Sequence, residues 1–200
     1  MHTNLAIPSP FQSNEVLSQR QISILQRISE DFKEENIDAE VLKLIKQEST
    51  LSLRALDWLV TNYSKKTNVI CRTLTTQTMF NIFHNYKVSL THYRRRNFDP
   101  FRRRSRIFLI HENERLETTV GQCNFLHWAH MNGVLRYAIS NSAEIEKDMN
   151  MASSRQKAEK KKQRQDGIPY KRKELSKAPM TKCQVYKVET HVSFDNSDWN

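Results

Sequence analysis

The sequence predicts an α+β fold that is predominantly helical and carries a small β-hairpin or sheet. Three glycines and five prolines in 200 residues are too few for the many tight turns of an all-β domain. Apolar residues recur at helical spacing along most of the chain, whereas residues 107–120 contain two short β-branched and aromatic runs around a polar turn. We therefore expect amphipathic helices around one hairpin, with residues 184–194 as a candidate third strand.

The N-terminal third is acidic and is predicted to form two helices. Residues 1–13 have no periodicity, so a flexible arm is expected there. Residues 14–50 carry five basic and eight acidic side chains. Asn14 and Asp38 can act as the N-caps of the two helices. This acidic helical appendage is expected either to pack on the main domain as a helical hairpin or to bind a partner through an apolar face.

The main domain is predicted to span residues 51–150. It begins with a helix over residues 51–64, followed by a short strand at residues 69–71. Apolar residues from Met79 to Tyr93 then follow the clearest amphipathic pattern in the chain, which predicts a helix over that whole stretch.

The hairpin at 107–120 is expected to be followed by further helices. Gly121 is predicted to break the chain between the hairpin and a helix that includes residues 124–131. A short helix and the start of a longer one complete the domain. This succession of helix, hairpin and helix is typical of a winged-helix arrangement.

Residues 93–106 join the clearest helix to the hairpin and are strongly basic. Seven arginines and one aspartate give them a net charge of +6, out of +10 for the chain. Between the two arginine triplets lies a predicted structural corner, because proline cannot sit inside a helix and makes the preceding residue extended. The corner consists of Phe98, Asp99, Pro100 and Phe101. Its phenylalanines are expected to anchor the bend while the arginines face outward.

Arginine's planar fork matches phosphate oxygens, so these arginines are candidate nucleic-acid contacts. The predicted contacts are Arg94, Arg95, Arg96, Arg102, Arg103, Arg104 and Arg106. Two simpler explanations remain open. The run can be a solvated loop, and positive charge after a helix C-terminus also complements the helix dipole.

A second basic block covers residues 151–182, with eleven basic and three acidic side chains. It begins as a polar helix that Gly167 and Pro169 interrupt, and it is expected to be a flexible tract. Its clusters resemble a bipartite nuclear-import signal and can also contact phosphates; a solvated linker is the alternative. The candidate contacts are Lys160, Lys161, Lys162, Arg164, Lys171, Arg172 and Lys173. Residues 183–200 are expected to form a C-terminal strand and tail.

Few patterns in the sequence indicate an enzyme. There is no phosphate-binding glycine loop, no G-x-S-x-G, no H-E-x-x-H and no paired C-x-x-C. The best metal pattern is Cys123, His127 and His130, which lie at i, i+4 and i+7 and lack a fourth ligand. We therefore expect no cofactor.

The overall composition indicates an anionic partner. A pI near 9.6 favours nucleic acid first and an anionic membrane surface second. Cys71, Cys123 and Cys183 are far apart, which predicts free thiols in a reducing, intracellular compartment. No apolar run approaches the roughly 20 residues of a membrane span, and the N-terminus lacks the features of a signal peptide. The oligomeric state is left open.

Several strings of the sequence resemble a known family. They are F-D-P-F-R-R-R-S-R-I, E-T-T-V-G-Q-C-N-F-L-H-W-A, D-W-L-V-T-N-Y-S-K-K-T-N-V-I, R-K-E-L-S-K and V-E-T-H-V-S-F-D. Together they resemble an uncharacterised family of the large nucleocytoplasmic DNA viruses, including the giant viruses of protists, over about residues 51–195. That family has a cysteine after F-D-P-F and a leucine at the position of Cys123, so Arg102 and Cys123 depart from its pattern. The resemblance implies a viral setting and no mechanism.

The combined prediction is a non-enzymatic viral protein that contacts DNA or RNA through phosphates. It would act in genome condensation, packaging or viral transcription, in the virion, the cytoplasmic viral factory or the nucleus. The alternative is a minor capsid or scaffold protein whose basic blocks meet acidic faces of a capsid lattice or an inner membrane. A metal-dependent enzyme is the second alternative.

Overall fold

The structure is a computed structural model that describes residues 6–34, 39–74 and 76–165. The helices are α1 (Gln19–Glu34), α2 (Ala39–Lys46), α3 (Leu53–Trp58), α4 (Ser64–Thr67), α5 (Ile82–Tyr93), α6 (Val120–Met131), α7 (Val134–Ser140) and α8 (Ser142–Gln165). One π-helical turn, Leu59–Tyr63, joins α3 to α4, and a 3-10 turn, Arg95–Asn97, follows α5. The strands are β1 (Phe11–Ser13), β2 (Ile70–Arg72), β3 (Met79–Asn81), β4 (Ile107–His111) and β5 (Glu114–Thr118). The predicted α+β class is confirmed, and the winged-helix arrangement stays a prediction.

The main sheet is antiparallel with the strand order β1-β4-β5. The hairpin of β4 and β5 was predicted, but its third strand comes from the N-terminus, where a flexible arm was expected over residues 1–13. Phe11 lies opposite Leu109, and both side chains are buried. The Ile110 amide also donates to the Pro10 carbonyl at 2.9 Å. Pairing with the edge of β4 and burial of the Phe11 side chain therefore order Phe11–Ser13. The candidate strand at 184–194 lies outside the described residues.

A second, two-stranded sheet pairs β2 with β3. The strand predicted near residues 69–71 is thus present, but Met79–Asn81 forms its partner strand and does not begin a helix. Helix α5 starts three residues later than expected because Asn81 has an extended backbone and its side chain accepts from the His84 amide at 3.0 Å. An asparagine in this role is a strong N-cap.

The prediction that Gly121 breaks the chain is wrong. Gly121 lies in the first turn of α6. The helix begins at Val120 because Thr119 is extended and accepts from the Gln122 amide at 3.1 Å. A Cβ atom at position 121 would stand 3.2 Å from the Arg96 carbonyl oxygen. Glycine is therefore favoured here because the basic segment passes very close to the helix.

Helix α6 is the centre of the hydrophobic core, since every residue from Val120 to Ala129 is buried. Helix α1 packs along it. Ile28 of α1 and Leu44 of α2 are buried in the same cluster as Phe125 and Leu126 of α6, so the N-terminal third shares the core of the main domain. None of the helices in the described ranges has both the length and the apolarity that crossing a membrane requires.

Candidate nucleic-acid interface

Phe98 anchors the corner in an aromatic cluster. Its side chain is 2% exposed. Its ring stacks on Tyr93 with a centroid distance of 5.5 Å and meets Phe125 and Trp128 edge-on at 5.3 and 5.4 Å. Tyr86 completes the cluster at 5.9 Å. The end of α5 and the start of the corner are therefore joined to α6 by one continuous group of rings.

Two buried amide side chains of α6 bind the backbone of the corner. Asn124 Nδ2 donates to the Asn97 carbonyl at 2.8 Å, and Gln122 Nε2 donates to the Pro100 carbonyl at 3.1 Å. The Asp99 amide donates in turn to the carbonyl of Gly121 at 3.2 Å. Each of these bonds satisfies a polar group that would cost about 1–3 kcal/mol if it were buried without a partner. The backbone is consequently held at Asn97, just before the corner, and at Asp99 and Pro100 within it.

Phe101, the second predicted anchor, lies differently. It is half-buried, and the guanidinium of Arg103 stands 4.6 Å from its ring centroid. Its amide donates to Asp99 Oδ1 at 3.1 Å. Phe98 thus supplies the buried anchor, while Phe101 supports an arginine at the surface.

The first arginine triplet is exposed: Arg94 directly follows α5, and Arg95 and Arg96 lie on the 3-10 turn. Within the described part of the chain, these three side chains form no hydrogen bond or ion pair. Three adjacent guanidinium groups without acidic partners make this turn a local concentration of positive charge. Such a site suits a ligand with several phosphate oxygens.

The backbone of Arg94 is in a conformation that favours glycine, with φ 66° and ψ 145°. For another residue this region costs on the order of 1–3 kcal/mol. Arg94 caps the C-terminus of α5 in this conformation, where glycine would be the stable choice. The presence of arginine here is a reason to look for a role of its side chain.

Two arginines of α1 extend the basic surface, and sequence reasoning missed both. Arg20 is exposed and donates to the His92 carbonyl near the end of α5. Arg27 lies 5.0 Å over the Tyr93 ring, donates to the Tyr93 hydroxyl and binds Asn124 Oδ1 at 2.8 Å. Their i, i+7 spacing places them on one face of α1, which was a readable signal, but their position beside the triplet depends on tertiary packing.

Arg102 and Arg106 of the second basic run are engaged by the protein itself. Arg102 donates to the Ile45 carbonyl and lies 3.9 Å from Glu117, with only 21% of its side chain exposed. Arg106 pairs with Glu117 at 3.1 Å and also donates to the Arg102 and Arg104 carbonyls at 2.7 and 2.9 Å. The prediction that all seven arginines face outward is therefore wrong for Arg102, because β5 supplies a carboxylate and α2 a carbonyl oxygen.

The other two arginines of this run are exposed. Arg103 pairs with Asp99 at 3.6 Å and stacks on Phe101. Among the described residues, Arg104 has no hydrogen bond or ion pair from its side chain. Of the second triplet, Arg104 alone resembles the first triplet in its surroundings.

The C-terminal basic block is described only in its first part. Residues up to Gln165 continue α8, whose beginning is held by the buried Ile145 and Met149 and by a 3.0 Å bond from Trp58 Nε1 to Asp148. Lys161 and Lys162 are exposed, Lys160 is half-buried, and Arg164 lies in the last turn of α8. The predicted contacts Lys171, Arg172 and Lys173 lie outside the described residues.

The weak metal candidate is not assembled. Cys123 is buried with its Sγ 3.5 Å from Thr118 Oγ1, and burial raises its pKa to about 12. His127 Nε2 instead lies 2.8 Å from Asp31 of α1, and burial, with Arg27 nearby, lowers the pKa of His127 to about 4. Cys123 and His127 thus have separate partners. Across the described ranges no group of three or more His, Cys, Asp or Glu side chains is placed to hold a metal ion.

A pocket of about 300 Å³ opens beside the corner, between α3, α5 and the 3-10 turn. Asp57 and Asp99 line it together with Lys87, Arg95 and Arg103. Burial, and secondarily Asp99, raises the pKa of Asp57 to about 6, while Arg103 acts in the opposite direction. No local sequence pattern predicts this pocket, because its lining comes from segments that are far apart in the chain.

The site thus consists of a basic turn that is fixed to a buried helix and has a pocket of mixed charge beside it. The model of a family of unknown function, DUF7197, matches residues 10–192, so the chain belongs to that family. The match includes the N-terminal third and thus extends the resemblance that the sequence indicated from residue 51.

The chain is also similar to the uncharacterized protein L507 of Acanthamoeba polyphaga mimivirus. The two are 31% identical over 158 residues, which make up 74% of this chain and 61% of L507. The matched part of the chain therefore spans less than two thirds of that relative's length. The predicted resemblance to an uncharacterised giant-virus family is confirmed. No solved structure matches the chain.

Proposed function

We propose that the protein binds nucleic acid through phosphate contacts made by the first arginine triplet. The observation that carries this proposal is the combination of three exposed guanidinium groups, without partners among the described residues, and a turn fixed to the buried helix α6. In the proposed setting, a non-enzymatic viral protein acts in genome condensation, packaging or transcription. It would be found in the virion, the viral factory or the nucleus.

The rigidity of the turn supports the proposal. Ordering a flexible segment on binding costs free energy, so a turn that is already ordered retains more of each contact. Asn124 binds the Asn97 carbonyl of the turn, and Gln122 and the ring of Phe98 hold the adjoining corner in place before any ligand arrives. The exposed Lys161 and Lys162 of α8 supply a further, less constrained contact in this proposal.

Contacts of this kind carry little sequence information, because phosphates are common to every sequence. The proposed affinity therefore depends strongly on salt. For duplex DNA, the slope of log affinity against log salt is about −0.9 for each phosphate neutralised. Removing three contacts is expected to make that slope shallower by about 3.

The test compares two triple variants of equal charge change. The first replaces Arg94, Arg95 and Arg96 by glutamine. The control carries glutamine in place of Arg54, Arg72 and Arg136, which are exposed arginines of α3, β2 and α7. Binding to duplex DNA, single-stranded DNA and RNA is measured over a salt series, and the folding of each variant is checked by thermal unfolding.

The proposal predicts a large loss of affinity and a shallower slope for the first variant, with a much smaller change for the control. Equal losses in both variants would mean that net charge alone governs binding. A protein that binds none of the three nucleic acids, yet is recovered in virion shells stripped of DNA, would instead favour the capsid or scaffold role.

A further inference from the structure

The pocket beside the corner contains a carboxylate, that of Asp57, with no hydrogen-bond or ion-pair partner among the described residues. Asp57 lies on α3 and is half-buried. Its carboxylate forms no hydrogen bond or ion pair within the described ranges. Asp99 is different, because its Oδ1 accepts the Phe101 amide at 3.1 Å and its Oδ2 lies 3.6 Å from Arg103 Nε.

A half-buried carboxylate without hydrogen bonds is unfavourable in the free protein. The raised pKa of Asp57, about 6, reflects this burial. At neutral pH the group is still ionised and has two acceptor oxygens available. A ligand that donates hydrogen bonds to these oxygens would remove the unfavourable desolvation, so the pocket is suited to a donor-rich group.

The charges around Asp57 restrict the ligand further. Lys87, Arg95 and Arg103 also line the pocket. A bare metal ion or a simple amine would face three positive side chains there, of which Arg103 is paired with Asp99 at 3.6 Å. The ligand that fits both conditions has a donor edge for the carboxylate and carries negative charge elsewhere. A nucleotide, with a base and a phosphate, has this combination.

Among the nucleobases, guanine matches a carboxylate best. Its Watson–Crick edge presents two adjacent donors, N1–H and N2–H, which can pair with the two carboxylate oxygens. Adenine and cytosine present one amino donor next to an acceptor nitrogen on that edge, and thymine and uracil present one donor between two carbonyl oxygens. An ionised Asp57 would repel those acceptors, so it discriminates in favour of guanine.

A pocket of about 300 Å³ can hold a base that has left its stack, but a base inside a duplex cannot present this edge. Arg95 belongs to both the pocket and the first triplet. A phosphate bound at the triplet is therefore next to the mouth of the pocket. This arrangement suits a single strand.

The neighbouring surface of α5 also suits a single strand. The half-buried ring of Phe83 has the ammonium groups of Lys65 and Lys87 at 5.6 and 5.5 Å from its centroid. Lys87 lies one helical turn after Phe83 and also lines the pocket. The two ammonium groups over this ring add positive charge for the backbone of a single strand.

We propose that the pocket binds an unstacked guanine of a single-stranded nucleic acid, with the Asp57 carboxylate accepting from its N1–H and N2–H groups. This inference rests on the proposed function, because the strand is held by the first triplet. It adds a ligand class, single strands, and a base preference. Free guanosine monophosphate has the same base and a phosphate, so it is tested separately as another candidate ligand of the pocket.

The experiment uses the full chain with short oligothymidylate DNA strands and short oligouridylate RNA strands. In each series the central base is left unchanged or is replaced by adenine, cytosine or guanine. Binding is measured at neutral pH and moderate salt. The variant is Asp57→Asn, and the matched control is Glu30→Gln, a carboxylate-to-amide change at an exposed position of α1. Guanosine monophosphate is added as a competitor in a parallel series.

The expected result is a preference of about 5- to 100-fold for the strand with guanine, the range of one good two-point base contact. Asp57→Asn should abolish this preference, and Glu30→Gln should retain it. The monophosphate should compete only at much higher concentration than the strand, because it reaches fewer arginines.

Salt-dependent binding of every strand with no guanine preference would overturn this inference and leave the proposed function standing. Failure to bind any strand would overturn both. A monophosphate that competes as well as the strand would overturn the assignment to single strands. A guanine preference that survives Asp57→Asn would overturn the role of Asp57.

Discussion

The two arginine triplets have the same sequence and flank the same corner, but the fold gives them opposite surroundings. Arg94, Arg95 and Arg96 are exposed on a short turn, and their side chains have no partner among the described residues. Arg102 is turned toward the Ile45 carbonyl and Glu117, and Arg103 pairs with Asp99. The difference shows that tertiary contacts, and not the arginine run alone, decide which of these side chains are bound by carboxylates and carbonyl oxygens of the protein.

The positions of the acidic residues explain this difference. Glu117 lies on β5, opposite Phe108 of β4, so it stands near the entry to the hairpin where Arg102 and Arg106 also lie. The turn of the first triplet instead packs against α5 and α6, and Arg20 of α1 adds positive charge near the end of α5. Arg102 and Arg103 of the second triplet are thus bound by the protein, whereas Arg104 and the first triplet have no side-chain partner among the described residues.

The largest expected effect comes from the anchor that both triplets share. Phe98→Ala should destabilise the protein by about 3–5 kcal/mol, since it removes a fully buried ring from the aromatic cluster. Phe101→Ala, at the half-buried position, should have a clearly smaller effect. Urea unfolding measures both, and equal losses would contradict the view that Phe98 alone is the buried anchor.

The pocket between the triplets should show a pH-dependent effect of up to about 3 kcal/mol. The folded pKa of Asp57, about 6, is above its unfolded value of 3.8. Its stabilising contribution is therefore complete below pH 3.8 and is lost as the pH rises to about 6. Asp57→Asn should remove this loss and stabilise the protein at neutral pH by at most about 3 kcal/mol.

Thermal unfolding at several pH values, with Glu30→Gln as the control, tests this prediction. The groups lining the pocket around Asp57 that influence the result are Asp99, Lys87, Arg95, Arg103 and Tyr86. A destabilising Asp57→Asn at neutral pH would contradict the account, because it would mean that the carboxylate has a favourable partner in the fold.

Within the second triplet, the half-buried Arg102 should contribute to stability, whereas the exposed Arg104 should not. Arg102→Ala should cost about 1–3 kcal/mol, because it leaves the Ile45 carbonyl without this donor and removes the contact with Glu117. Arg104→Ala should change stability by less than about 0.5 kcal/mol, as expected for an exposed side chain. Denaturant unfolding of the two variants distinguishes them, and similar values would remove the distinction.

The smallest expected effect on stability concerns the backbone of Arg94 in the first triplet. Arg94→Gly should stabilise the protein by about 1 kcal/mol, since glycine adopts φ 66° without strain. The same change should reduce the salt slope of DNA binding by about 1. Stability and binding would then move in opposite directions, and a variant that loses both would argue against strain at Arg94.

The sequence was sufficient for the features that depend on local patterns. Helical periodicity predicted most helices, the runs around residues 107–120 predicted the hairpin, and the proline predicted the corner. Strand β1 could not be predicted, because its order comes from the distant edge of β4. The prediction that Gly121 breaks the chain was wrong, because glycine is needed there to leave room for the nearby Arg96 carbonyl.

The candidate site was less readable than the fold. From charge alone, all seven arginines were predicted to contact phosphates. The structure shows that Arg102 instead donates to the carbonyl of Ile45 in α2. Asp57 and Arg20 joined the site only through tertiary packing. These contacts connect residues that are far apart in the chain, and no local pattern encodes them.

The most direct test of the account compares the two triplets in one binding measurement. Glutamine replaces Arg94, Arg95 and Arg96 in one variant and Arg102, Arg103 and Arg104 in the other, at a temperature where both are folded. The salt slope of duplex-DNA affinity should become shallower by about 3 for the first variant and by about 1 for the second, through Arg104. Equal changes in slope would contradict the claim that the fold reserves only the first triplet for phosphates.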